Sequence, residues 1–138
     1  MFVRFLRGFS FSLLAVALPI MAGCGGGGPA EYRVTGRVTL DGQPVEQGEI
    51  TFLPADMQGT PYAGQISNGS FECRVTEGPK RVEITATRES PTPAADGLPN
   101  YVSYIPAAYN SQSTLTAEIK PSGDNTLTFD LKSQGESS

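Results

Sequence analysis

The dipeptide Asn68-Gly69 lies between two runs of alternating apolar and polar residues, and no other feature constrains the fold as much. Both central positions of a two-residue type I′ turn need positive φ, which Asn tolerates and Gly adopts freely. Pairing outward from such a turn sets Ile66 opposite Phe71 and Gly64 opposite Cys73. All four then share one face, because side chains along a strand alternate with period two. Cys73 thus falls on the core side, beside a glycine that leaves it room, and reads as a small buried hydrophobe.

The same period recurs along the chain. Tyr32, Val34, Val38 and Leu40 point one way with Gly36 among them, and Arg33, Thr35, Arg37, Thr39 and Asp41 point the other. Asp41-Gly42-Gln43-Pro44 supplies turn chemistry. Ile50 and Phe52 face inward on a second strand that Pro54 ends. Val82, Ile84 and Ala86 alternate with Arg81, Glu83, Thr85 and Thr87; later Leu115, Ala117 and Ile119 do the same, and then Leu127, Phe129 and Leu131. About seven strands without a helical period predict an all-β fold. The expected architecture is a single antiparallel β-sandwich of immunoglobulin-like size over residues 31–132, with a polar tail at 133–138.

The chain's start has a different character. Arg4 and Arg7 precede a run from Phe9 to Ile20 whose only polar residues are Ser10 and Ser12. Small residues Ala22 and Gly23 lead into Cys24, and Gly25 to Gly28 follow. A basic start, an apolar stretch and small residues form an export signal. The apolar stretch falls short of the roughly 20 residues that cross a bilayer. Consecutive glycines lose too much backbone entropy to order, so they form a tether. Met21-Ala22-Gly23-Cys24 resembles the lipobox of bacterial lipoproteins. The resemblance implies cleavage before Cys24, a diacylglycerol on its thiol and, usually, acylation of the new amino group. Residues 1–23 are then the signal peptide, and 24–30 the lipidated cysteine and tether. The alternative is an ordinary cleaved signal followed by a chance cysteine. No aspartate follows Cys24, which resembles an outer-membrane address. Two or more acyl chains would hold the protein stably on the membrane.

Removal of the signal leaves eight basic residues against 14 acidic ones. Such an acidic domain is not drawn to nucleic acid, and membrane attachment falls to the acyl chains. Cys73 is the only cysteine left, so no intramolecular disulfide forms. The chain has no histidine, which removes the common nucleophile–base triads and the usual zinc ligands. The acids are scattered over outward strand faces and turns, without the spacing of a calcium loop. No catalytic residue, metal site or cofactor is predicted.

Val34-Thr35-Gly36-Arg37-Val38-Thr39-Leu40-Asp41-Gly42-Gln43-Pro44-Val45 and Gly48-Glu49-Ile50-Thr51-Phe52-Leu53-Pro54 resemble the start of the carboxypeptidase regulatory-like, or transthyretin-like, sandwich domain. They are similar in particular to small lipoproteins of planctomycete bacteria, as are Ile105 to Asn110 and Asn125 to Leu131. The resemblance implies a sandwich and a regulatory, folding or binding role. A transthyretin relative that hydrolyses 5-hydroxyisourate relies on histidines, so that activity does not carry over.

Glu89 to Ser113 shows no period over about 25 residues, long for a connection in a small domain. It holds Tyr101, Tyr104 and Tyr109, three of the five tyrosines, together with four prolines. These rings either form a binding surface or fold back over an open end of the sandwich. The expectation is a lipid-anchored, non-catalytic envelope module that contacts protein partners. The alternative is a carbohydrate-binding module using the tyrosines of loop 89–113.

Overall fold

β1 (Glu31–Leu40) opens a computed structural model that describes residues 26–133. The expected signal segment, Cys24 and all of the polar tail but Ser133 lie outside the described residues. After β1 come β2 (Gln43–Pro44), β3 (Gln47–Pro54), β4 (Tyr62–Ser67), β5 (Ser70–Thr76), β6 (Gly78–Thr85), β7 (Thr87–Glu89), β8 (Tyr101–Ser103), β9 (Thr116–Ile119) and β10 (Asn125–Leu131). Seven of these form one continuous sheet in the order β10-β1-β5-β4-β3-β6-β9, and they are the seven expected strands. β2 hangs on β1, and β7 pairs only with β8. Among the described residues no helix is long and apolar enough to cross a membrane.

Connectivity forces the sheet to curl. β9 and β10 are its two edges, yet only residues 120–124 join them. A flat sheet would hold those edges about 29 Å apart, six inter-strand spacings. Six peptide steps reach only about 20 Å. The sheet therefore wraps over itself into the two layers of a sandwich. The buried Asn125 braces the turn, its carboxamide accepting from the Lys120 backbone N–H at 2.9 Å and donating to the Lys120 carbonyl at 3.1 Å.

One pair departs from the antiparallel expectation. β10 runs parallel to β1, with Val34 opposite Asn125 and Leu40 opposite Leu131. β9 descends to the end where β1 begins, and the short turn sends β10 back up from there. The remaining ladders are antiparallel.

The core follows the sequence alternation. Val34, Val38, Ile50, Phe52, Val82, Ile84, Ile119 and Leu131 are buried. Rings from both layers meet, Phe52 to Phe71 at 6.1 Å between centroids and Phe71 to Phe129 at 6.4 Å. Asn68 and Gly69 take φ of 49° and 78°, and Ile66 faces Phe71. Gly64 backs onto Cys73: a Cβ on the glycine would stand 2.9 Å from the cysteine Cβ. Cys73 is a free, buried thiol, pushed up to about 11 by burial and then by the Glu72 charge.

Candidate functional site

The tether enters at the start of β1, and β1 carries the chain about 30 Å to the other end. That far end is where the tyrosines lie. Ala86 is the last core residue of the β6 run, and the chain then leaves the sheet as β7. Thr87 pairs with Ser103, Arg88 with Val102 and Glu89 with Tyr101. Ser90 N–H to the Asn100 carbonyl, at 2.7 Å, extends this ladder, and Gly97 at φ 80° helps turn it. Tyr104 N–H returns to the Ala86 carbonyl at 3.3 Å, and Ile105 re-enters the core. The expected aperiodic stretch is therefore largely a two-stranded ribbon. Its strands are too short to show a period, and all six of their residues are exposed on both faces.

The three tyrosines separate. Tyr101 is 63% exposed on the ribbon. Tyr104 is half-buried against the core edge, with the Arg88 guanidinium 5.3 Å from its ring centroid. Its hydroxyl is held above the ordinary tyrosine range, by burial first and then by the Glu46 carboxylate, while Arg88 opposes this. Tyr109 sits elsewhere, on a short 3-10 turn (Ala107–Tyr109) packed on the core. Its hydroxyl accepts from Lys132 N–H at 3.0 Å. Next to it the Asn110 carboxamide donates to the carbonyls of Pro106 at 3.1 Å and Ile105 at 3.3 Å. Tyr109 therefore closes the sandwich end and takes no part in the groove that the other two line.

That groove, about 690 Å³, runs between the ribbon and the turns beneath it. Tyr101, Tyr104, Arg88 and Glu89 come from the ribbon side, and Glu46, Gln47 and Asn68 from the other. The Asn68 turn docks there because its N–H donates to the Glu46 carbonyl at 2.8 Å, and Gly69 N–H donates to that of Val45 at 2.8 Å. Gly69 also has to be a glycine at this contact, since a Cβ would lie 2.6 Å from the Pro44 Cβ. Glu46, Gln47 and Arg88 carry no signal in the sequence as site residues. Glu46 and Gln47 lie about 55 residues before the tyrosines, and Arg88 sits on a three-residue strand exposed on both faces. Only their convergence makes them lining.

Chemically the groove offers two aromatic rings, one cation, two carboxylates and two carboxamides, all but the half-buried Tyr104 open to solvent. Rings and hydrogen-bonding edges of this kind serve recognition. Among the described residues, no three His, Cys, Asp or Glu side chains are grouped to hold a metal ion.

No protein-family model matches the chain, and no curated protein matches it. Among solved structures it is similar to a 9R-lipoxygenase from Cyanothece PCC8801, at 16% identity and a TM-score of 0.37. That match covers 74% of this chain and 16% of the lipoxygenase, and a likeness of this degree carries no argument about function.

Proposed function

We propose that the protein is a non-catalytic binding module of a bacterial cell envelope, held on the outer membrane by lipid on Cys24, whose ribbon contacts a protein partner. One observation carries the partner reading. Tyr101 stands 63% exposed at the end away from the tether, flanked by exposed Leu98 and Val102. Three large apolar side chains exposed along one short ribbon, a tyrosine among them, offer a contact surface. The absence of histidine from the chain supports a role without catalysis. The anchor reading draws on Ala22-Gly23-Cys24 and the glycines behind it. The transthyretin-like resemblance of Val34 to Pro54 fits a binding role.

Two experiments test this. Metabolic labelling with an alkyne fatty acid should mark the wild type and leave Cys24→Ser unmarked; equal labelling of both refutes the anchor. Partners recovered from native membranes with the wild type should be lost with Tyr101→Ala while the melting temperature stays within about 2 °C, as for a surface change. Recovery unaffected by Tyr101→Ala refutes the contact.

A second reading is favoured by the polar lining of the groove. Glu46, Gln47, Asn68 and Arg88 beside two tyrosine rings are the groups that bind sugar hydroxyls and sugar faces. Glycan-array signal that Tyr101→Ala abolishes would select it over a protein partner.

A further inference from the structure

Lys80 occupies the inward phase of β6, two residues before Val82, and is only 5% exposed. Its ammonium donates to Thr76 Oγ1 at 3.1 Å and to the Glu77 backbone carbonyl at 3.2 Å. Among the described residues no carboxylate lies within 4.0 Å of it. A buried cation is thus left with two neutral acceptors and one N–H to spare. Burial of a charge is costly without an opposite charge beside it.

The same three residues line a pocket of about 630 Å³ together with Pro29, Ala30 and Tyr62. Thr76 Oγ1 accepts from Lys80, so its own hydrogen is free to donate. The Thr60 hydroxyl is a further donor on the wall. These groups suit a phosphate oxyanion. Asp56 and Glu77 also line the pocket, which makes its charged set net negative and a bare anion a poor match. Asp56 Oδ1 is turned to its own loop, accepting from Gln58 N–H at 2.9 Å, and Glu77 is exposed. A ligand carrying both signs satisfies the whole set.

We propose that this pocket binds a phosphoethanolamine group, with the phosphate on Lys80 and Thr76 and the amine toward Asp56 and Glu77. Pro29 and Ala30 belong to the tether, so the pocket opens at the end from which the tether leaves. A lipid headgroup is a natural source there. That source rests on the anchoring reading above; the pocket itself does not. The acidic net charge of the domain is no obstacle to a phosphodiester headgroup, whose single negative charge is balanced by its ammonium.

The test uses the processed protein in mild detergent and soluble glycerophosphoethanolamine, a phosphodiester with the charges of the headgroup, as probe. A hundredfold excess over Kd should raise the melting temperature by about 10 °C. Lys80→Met keeps the aliphatic stem and should show no rise, whereas Lys80→Arg should retain one. No rise in the wild type, or an equal rise in Lys80→Met, overturns the proposal. Reductive methylation of the wild type gives a readout that needs no variant. Glycerophosphoethanolamine should slow labelling of Lys80 relative to Lys120 and Lys132, and unchanged relative rates overturn the site. For the source, the protein is placed in vesicles of phosphatidylcholine with or without phosphatidylethanolamine. Protection that requires phosphatidylethanolamine assigns the lipid headgroup. Protection by the soluble probe alone keeps the site and assigns a free ligand. Loss of lipid labelling at Cys24 would remove the membrane source and leave the soluble arm standing.

Discussion

Replacing Gly36 by alanine adds one methyl group to the middle of β1, and the surroundings cannot accept it. The new Cβ would lie 2.1 Å from the Leu127 carbonyl oxygen and 2.7 Å from two carbons of the Phe71 ring. Real Cβ contacts stay beyond 3.0 Å, so β10 would have to retreat by about 0.9 Å. Leu127 is the direct partner of Gly36 in the parallel ladder. A retreat of that size weakens the ladder bonds on either side, worth about 1 kcal/mol each. It also displaces Phe71, whose ring bridges Phe52 and Phe129, at an overpacking cost of about 1–3 kcal/mol. The reduced entropy of the unfolded chain returns about 0.5 kcal/mol. The sum is a loss of about 3 kcal/mol, which for a domain of this size lowers the melting temperature by about 12 °C or more. Urea unfolding followed by circular dichroism measures it. Phe71→Ala in the same background should recover part of the loss, because one of the two obstructions disappears, so the double mutant should be less damaged than the sum. A change under 0.5 kcal/mol for Gly36→Ala, or strict additivity with Phe71→Ala, would refute the reasoning.

Cys73, with its thiol pushed up to about 11, should react with a polar thiol reagent at pH 8 about two orders of magnitude more slowly in the native state than in urea. Comparable rates would show an accessible thiol. Stability should also fall on acidification below about pH 4.5. Arg33 holds the Glu72 carboxyl below its ordinary 4.5, chiefly by hydrogen bonding, and Ser133 holds Asp41 below 3.8. Groups with lowered folded values stabilise above their unfolded values, and that stabilisation is lost as pH falls through the folded ones. Glu72→Gln combined with Asp41→Asn should therefore flatten the acid limb of the melting-temperature profile, and an unchanged slope would contradict it. Finally, Glu46→Gln should lower the Tyr104 hydroxyl titration, followed by ultraviolet absorbance, and Arg88→Ala should raise it, because these charges act on that ring in opposite directions.

The candidate surfaces were legible only in part. The tyrosines of Glu89 to Ser113 stood out by composition, but composition could not separate Tyr101 on the ribbon from Tyr109 under Lys132. Three-residue strands are shorter than two periods of alternation, so β7 and β8 left no pattern to read. Lys80 was readable in principle. Extending Val82, Ile84 and Ala86 back by two places puts its side chain inward. A lysine at a strand end is ordinarily a solvated charge, so nothing in the sequence separated it from one.

Period-two alternation and the Asn68-Gly69 turn determined by themselves which apolar residues of the seven sheet strands face the core, while Val45 and Ile105 joined it from outside those runs. A strand has only two faces, and a glycine with positive φ fixes the register on both sides of it. Those are local constraints, written over neighbouring residues. The curl of the sheet, the parallel pairing of β1 with β10, the groove at Tyr101 and the pocket around Lys80 came only with the tertiary structure. Each joins segments tens of residues apart, and the closeness of such segments depends on how all the strands between them stack. No single stretch of sequence carries that information.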